Sequence, residues 1–367
     1  MYSIQKLFAI LILIFTEGSV KGQTPKNDDE KETVLKTKTI KMPKYPIADF
    51  PKKSLAVSDI QVIQFVRDSV RLGYVLKGLA NQVAQIQPEK PLTTFLQDHV
   101  EKMYKNDFKK DGIKILWVIK ELRIGERTGF TEYSYLKLKA DSYILSDNQK
   151  YHLIYKLDSV FVTESGGDVT AWHGQELEDV MKLSLKETLK NAKMGQSNVE
   201  KYTLDDITKN ATLKTNFPIL NDPNYTEGAY TNFEEFLQNK PSILNYEPVV
   251  LQKRKTKYIT GFINSSGDSI NIWGISKKGE LYKYVEKQLV PIEKSGNGFI
   301  VSYYVVKANM RNNGVFMSSL IGGLAGGLIS LALAEKMPQV KSIPHLTKSK
   351  KQPDATIIDM ETGELAF

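Results

Sequence analysis

The run Ile113-Lys114-Ile115-Leu116-Trp117-Val118-Ile119-Lys120-Glu121-Leu122-Arg123-Ile124 decides the fold. It is apolar on both alternating faces, with Ile115, Trp117 and Ile119 set against Leu116, Val118 and Leu122. A strand that must bury both faces belongs in the middle of a sheet. The next two segments have one apolar face each. Glu132–Leu145 sets Leu136, Leu138 and Ala140 against Lys137, Lys139 and Asp141. Tyr151–Val162 sets Tyr151, Leu153, Tyr155 and Leu157 against His152, Lys156 and Asp158. Both read as half-buried antiparallel strands with one wet face, joined by a turn at Ser146-Asp147-Asn148.

Upstream, Ile60–Val66 reads as a first strand. Pro91–Phe108 carries Leu92, Phe95, Leu96, His99 and Met103 at helical spacing, which predicts an amphipathic helix with His99 as a packing residue. Downstream, Gly166-Gly167-Asp168-Val169-Thr170-Ala171-Trp172-His173 leads into a helix reaching about Ala192. Leu177, Val180, Met181, Ser184, Leu185 and Leu189 give that helix a buried face. Thr170 or Asp168 is positioned to cap it, with Trp172 in the core. A glycine pair at a helix start can cradle an anion, but this spacing fits neither a P-loop nor a dinucleotide fingerprint. The order strand, helix, three strands, helix predicts a two-layer α/β sandwich over residues 54–193, with helices on one face of a mostly antiparallel sheet.

The remaining segments surround that domain. Residues 1–22 read as a signal peptide, with Lys6 in the positive region and Leu7–Phe15 as a short apolar core, so the mature chain is expected to start near Gln23. Residues 23–53 are rich in Lys, Asp, Glu, Thr and Pro and read as a disordered tether. Residues 194–222 read as a linker. Residues 223–309 read as a small antiparallel β-rich module. It opens with a short helix bearing Phe233, Phe236 and Leu237, stopped by Pro241, and continues through strands at Val249–Gln252, Tyr258–Phe262, Ser269–Ile275, Leu281–Val285 and Phe299–Val306. The basic tail 335–367 ends in a strand-turn-strand pattern around Thr362-Gly363, expected to return to the second sheet. The fold class is therefore α+β.

Between module and tail, residues 312–334 hold no charge and repeat small residues every four positions. Ser318, Gly322, Gly326 and Ser330 fall on one register, and Ser319, Gly323 and Gly327 on the next. On a helix or helical hairpin this makes a flat face for close packing. A helix over Asn312–Ala334 would be about 34 Å long, enough for a hydrocarbon core of about 30 Å. Five glycines weaken a helix outside a membrane. Three readings follow: insertion into a membrane, packing against another copy of the chain, or burial inside the protein.

Composition narrows the chemistry. The chain has 367 residues, a formal charge of +8 and no cysteine. Disulfides, thiol catalysis, thiolate metal sites and lipid attachment to cysteine are excluded. Bases and acids are interleaved, as in Lys182–Glu187, which is the pattern of solvated faces and argues against a nucleic-acid partner. The four histidines show no metal-ligand spacing, and no nucleophile-elbow sequence occurs. Asp168 with His173 is the one pair worth testing for catalysis. The sequence points to no cofactor, no metal and no catalytic residue.

Two resemblances attach to these words. In plan, Ile113–Arg127 with its paired strands, then Asp168–His173 and the closing helix, is similar to small envelope domains. These are the auxiliary lipoproteins of ABC-type lipid transport systems and the N-terminal domain of the Tol-Pal protein TolB. The lipid-anchoring cysteine of those lipoproteins is missing here. The second module resembles a group of exported Bacteroidota proteins in the order of its words: Gly228 to Ser242, Trp273-Gly274, Leu281-Tyr282, Gly322–Gly327 and Thr362-Gly363. Together the readings lead to the expectation of a non-enzymatic cell-envelope protein, exported to the periplasm and membrane-associated through 312–334, acting as a binding or assembly component with an envelope partner. The alternative is a soluble secreted module that self-associates through the glycine face. An envelope hydrolase is third.

Overall fold

A computed structural model of the chain describes residues 36–46, 50, 54–77, 82–128, 131–146, 149–195, 200–254, 257–302, 340 and 352–367. The signal-peptide segment 1–22, most of the tether and the whole of 312–334, including Ser318, Gly322, Gly323, Gly326, Gly327 and Ser330, lie outside the described residues. The architecture is mixed α+β, with several sheets and short helices.

The doubly apolar run is the centre of the first sheet. Strand β5 (Ile113–Arg127) is flanked by β6 (Glu132–Leu145), which pairs in turn with β7 (Tyr151–Ser165), both antiparallel. On its other side β5 pairs in parallel first with β2 (Val57–Gln64) and then with β3 (Gly73–Lys77). Strand β3 forms an antiparallel ladder with β4 (Gln82–Pro88), and β1 (Thr37–Ile40) pairs in parallel with β4. The sheet is thus mixed, not mostly antiparallel. Its β1 comes from within the stretch expected to be a tether.

Helices α1 (Leu92–Tyr104) and α2 (His173–Lys193) cover one face. Leu92, Phe95, Leu96, Leu177, Met181 and Leu185 share a core with Ile115, Trp117, Ile119, Leu122 and Ile124 of β5. Alternation alone would put Leu122 on the opposite side from Trp117. A β-bulge between Ile119 and Glu121 inserts Lys120 as an extra residue in the ladder with β6. The inserted residue reverses the facing of everything after it. Leu122 and Ile124 therefore join the helix-side core, and Glu121 and Arg123 emerge on the other face.

That other face is covered in two places. The segment 194–222, read as a linker, holds α3 (Leu204–Ala211) and α4 (Pro218–Asn221). Helix α3 starts in a capping box, Thr203 accepting from the Asp206 amide while the Asp206 side chain accepts from that of Thr203. Its Ile207 and Ala211 are buried against Leu116, Val118, Tyr143 and Leu153. The second covering is the C-terminal module. Phe367 packs edge-on to Tyr135 at 5.8 Å and lies over Gly125, where a Cβ would collide with its ring. Arg127 Nη1 donates to the Gln352 carbonyl at 2.8 Å.

The module forms a meander from β8 (Gly228–Tyr230) through β12 (Gly274–Lys277), β13 (Glu280–Val285), β14 (Gln288–Ser295) and β15 (Gly298–Val301), ending in β16 (Ile357–Ile358) and β17 (Leu365–Ala366). A separate three-stranded sheet holds β9 (Tyr246–Arg254), β10 (Lys257–Asn264) and β11 (Ser269–Ile270). The stretch Ser269–Ile275 thus serves two sheets and breaks over residues 271–273. Helix α5 (Phe233–Leu237) is capped by Asn232, which accepts from the Glu235 amide. Its Phe236 lies 4.4 Å from Trp273, and Trp273 Nε1 donates to the Gly363 carbonyl at 3.1 Å. Gly363 has φ +74° and sits against the Phe233 ring, so both conformation and space demand glycine. Of the described words of the second resemblance, Tyr230, Phe236, Leu237, Trp273 and Leu281 pack in one core, and Ala229 and Tyr282 in another.

The bulge assigns opposite costs to neighbouring side chains. Leu122→Ala is expected to lose about 2–5 kcal/mol of unfolding free energy, whereas Glu121→Gln beside it should stay below about 1 kcal/mol in urea titrations. Equal losses would contradict the bulge assignment.

Candidate functional site

Asp168 and His173 do not act together. Asp168 turns back on its own loop and accepts from the Thr170 amide at 2.8 Å. Neither Asp168 nor Thr170 caps α2; its first flanking residue is Trp172, with no side-chain cap. The helix buries His173, Leu177, Val180, Met181 and Ser184, so Trp172 points outward and is 43% exposed, not part of the core.

His173 has other partners. Its Nε2 lies 2.6 Å from Glu126 Oε1, and its Nδ1 lies 3.0 Å from Ser134 Oγ and 3.3 Å from Glu176 Oε2. Ser134 Oγ donates to Glu176 Oε2 at 2.5 Å, and the Leu76 amide donates to Glu126 Oε2 at 2.6 Å. Serine, histidine and glutamate thus stand in hydrogen-bond sequence, yet His173 is 1% and Ser134 0% exposed. The network fastens the start of α2 to β3, β5 and β6. It offers no face to a substrate.

Burial alone would lower the His173 pKa, but hydrogen bonds to Glu126 and Glu176 outweigh it and hold the imidazole above its ordinary value. Burial would raise Glu176, but bonds from His173, Ser134 and Thr163 hold it below. Both shifts favour the imidazolium form of His173, in which each ring nitrogen has an acceptor within reach. His99 is the opposite case. It is buried on α1, 3.1 Å from Glu178 Oε2, and burial lowers its pKa more than Glu178 raises it. Among the described residues no group of three His, Cys, Asp or Glu side chains is placed to hold a metal ion.

The open site lies elsewhere. A cleft of about 740 Å³ runs between the uncovered part of the first sheet and the C-terminal strands. Its floor is the face that the bulge exposes. Glu121 and Arg123 on β5 stand opposite Lys139 and Lys137 on β6 in the ladder. Leu213, Lys214 and Phe217 line it from the α3–α4 segment, Val160 from β7, and Ile300, Ile358 and Met360 from the module. Lys120 pairs with Asp141 and Lys137 with Asp158. Arg123 is 6% exposed and reaches across to the module, its Nη2 donating to Thr356 Oγ1 at 2.7 Å and its Nη1 to the Arg71 carbonyl at 3.3 Å.

Sequence reading placed Lys137 and Lys139 on a wet face but gave them no role. Arg123 and Glu121 went unnoticed because their facing depends on the bulge. The signal available was the Lys120-Glu121 pair interrupting an apolar run.

No protein-family model and no curated protein matches this chain. Among solved structures, the crystal structure of protein XCC0632 from Xanthomonas campestris, matched to DUF330, aligns with 44% of this chain and 98% of its own length. The identity is 14% and the TM-score 0.32. A likeness at that level carries no argument about function.

The His173 network sets a pH dependence. A raised histidine pKa contributes stability that is complete below the ordinary 6.5 and fades as pH rises through the folded value. Glu176, being lowered, contributes above its ordinary 4.5 and loses that contribution as pH falls. His99, buried neutral, costs stability as pH falls below 6.5. His173→Gln should therefore cost about 3–5 kcal/mol at pH 6, and less as pH rises. Nitrogen NMR should show His173 keeping both nitrogens protonated to a higher pH than free histidine, and His99 losing one proton at a lower pH. A His173 that titrates at its ordinary value would contradict the assignment.

Proposed function

We propose that this chain is an exported, non-enzymatic binding module whose ligand occupies the cleft between its two sheets. The observation that carries the reading is the cleft itself, large enough for a small organic molecule and lined by fixed charges on paired strands with apolar side chains around them. Several features support binding over catalysis. The histidine, serine and glutamate that stand in sequence are sealed inside the first domain, and the cations of the floor are tied into the ladder. Export rests on residues 1–22.

Of the two modes of attachment read from 312–334, we carry self-association forward. The described surface provides a second route for copies to join. Strand β7 is 15 residues long and ends the sheet order, its outer side bridged at Tyr151 to Tyr202. An edge of that length presents unpaired backbone groups to another chain. Among the described residues, no helix is long and apolar enough to cross a membrane.

Filling the cleft tests the main reading. Val160 is half-buried at its margin, and Val160→Trp adds bulk there. A small molecule that raises the melting midpoint of the natural chain by a few degrees should fail to do so for this variant. Compounds that stabilise both chains equally would contradict binding in the cleft.

A further inference from the structure

We propose that the cleft floor is a site for an oxyanion, a carboxylate or phosphate group carried on a small organic molecule, held by Lys139, Lys137 and Arg123. This rests on the reading of the cleft as a ligand site.

The argument begins with the ladder. Glu121 faces Lys139 and Arg123 faces Lys137, so three cations and one carboxylate occupy a two-by-two block on one face. Directly opposed side chains on such strands start about 5 Å apart. A single oxyanion can therefore reach more than one of these cations.

The charges of this block are not balanced from within. Arg123 is buried, yet both its terminal nitrogens are spent on neutral oxygens, Thr356 Oγ1 and the Arg71 carbonyl. Its Nε has no hydrogen-bond partner among the described residues. A buried guanidinium without a carboxylate on it is costly, and an incoming anion relieves that cost. Glu121 sits among the cations, and burial pushes its pKa up further than Lys137, Arg123 and Lys139 pull it down. Lys137 has Asp158, but among the described residues Lys139 makes no ion pair.

The remaining acids of the cleft lie off the floor, Glu234 on α5 accepting from Gln238 Nε2 at 3.1 Å. Asp68 pairs with Arg71 at 3.0 Å and accepts from Ser295 Oγ at 2.6 Å. Asp359 and Glu361 act on Arg67, whose Nη1 donates to the Asn297 carbonyl at 3.3 Å. Positive potential thus concentrates on the floor. Val160, Leu213 and Phe217 beside it supply apolar surface for the organic part of the ligand. A bare inorganic ion would use only half of this site.

The test is an NMR titration of the full chain with four probes of similar size: phenyl phosphate, benzoate, benzyl alcohol and benzylamine. Phenyl phosphate or benzoate should shift the amides of residues 121–123 and 137–139 saturably, and the tighter of the two identifies the group. Lys139→Gln should weaken that binding about tenfold, as loss of one charge-assisted bond does. Lys137→Gln serves in its place if that variant is unfolded. If benzyl alcohol or benzylamine shifts those amides and the anions do not, the oxyanion inference is overturned and the cleft reading stands. If none of the four shifts them, both fall.

Discussion

Strand β5 cannot leave either face in water, and the molecule is arranged to satisfy that constraint. Ile115, Trp117 and Ile119 need a layer on one side, Leu116 and Val118 on the other. Helices α1 and α2 provide the first. Among the described residues no second pair of long helices covers the other, so α3 and the C-terminal strands share it. The stretch of sheet between these two coverings is where polar residues are required. The bulge at Lys120 supplies them by turning Glu121 and Arg123 outward while keeping Leu122 and Ile124 in the core. The cleft follows from how a doubly apolar strand is covered.

The same strand anchors the buried polar network. Past the bulge the helix-side positions are Leu122, Ile124 and Glu126, and the last of these receives the His173 Nε2. An ion pair so deeply buried adds little net stability against an apolar replacement, but breaking it leaves a charge stranded. Its effect is to fix where α2 begins. Arg123, on the opposite face, bonds to Thr356 and so sets the position of the module beside the sheet. One strand therefore positions a helix on one side and a second sheet on the other.

Much of this was legible in the residues. Glu132–Leu145 is a strand with the bounds read from its alternation, because Leu136, Leu138 and Ala140 on one face alternate with Lys137, Lys139 and Asp141 on the other. The helical spacing from Leu92 to Met103 located α1, and the apolar face of Phe233, Phe236 and Leu237 located α5, which ends at Leu237 before Pro241 is reached. The tail pattern at Ile357-Ile358 coincides with β16. Other elements carry no such signal. Strands β3 and β4 are short, and Gln82, Gln85 and Gln87 break up the apolar pattern of β4. Strand β1 has a single buried residue, Ile40. Strand β14 contains Pro291, which argues against a strand with neighbours on both sides. The floor of the cleft was hidden for a different reason. Alternation assigns faces only while the ladder is regular, and a single extra residue reverses every assignment after it.

The most direct test of this account is to delete Lys120 and measure urea unfolding together with hydrogen exchange along β5. Ile119 pairs with Ala140 and Glu121 with Lys139, so removing the extra residue leaves a regular ladder in which Leu122 and Ile124 still face the helices and Glu121 and Arg123 the cleft. The account predicts a cooperative transition and protected β5 amides in the deletion variant. Loss of both would show that Lys120 is a regular ladder position, whose removal turns every later residue to the wrong face.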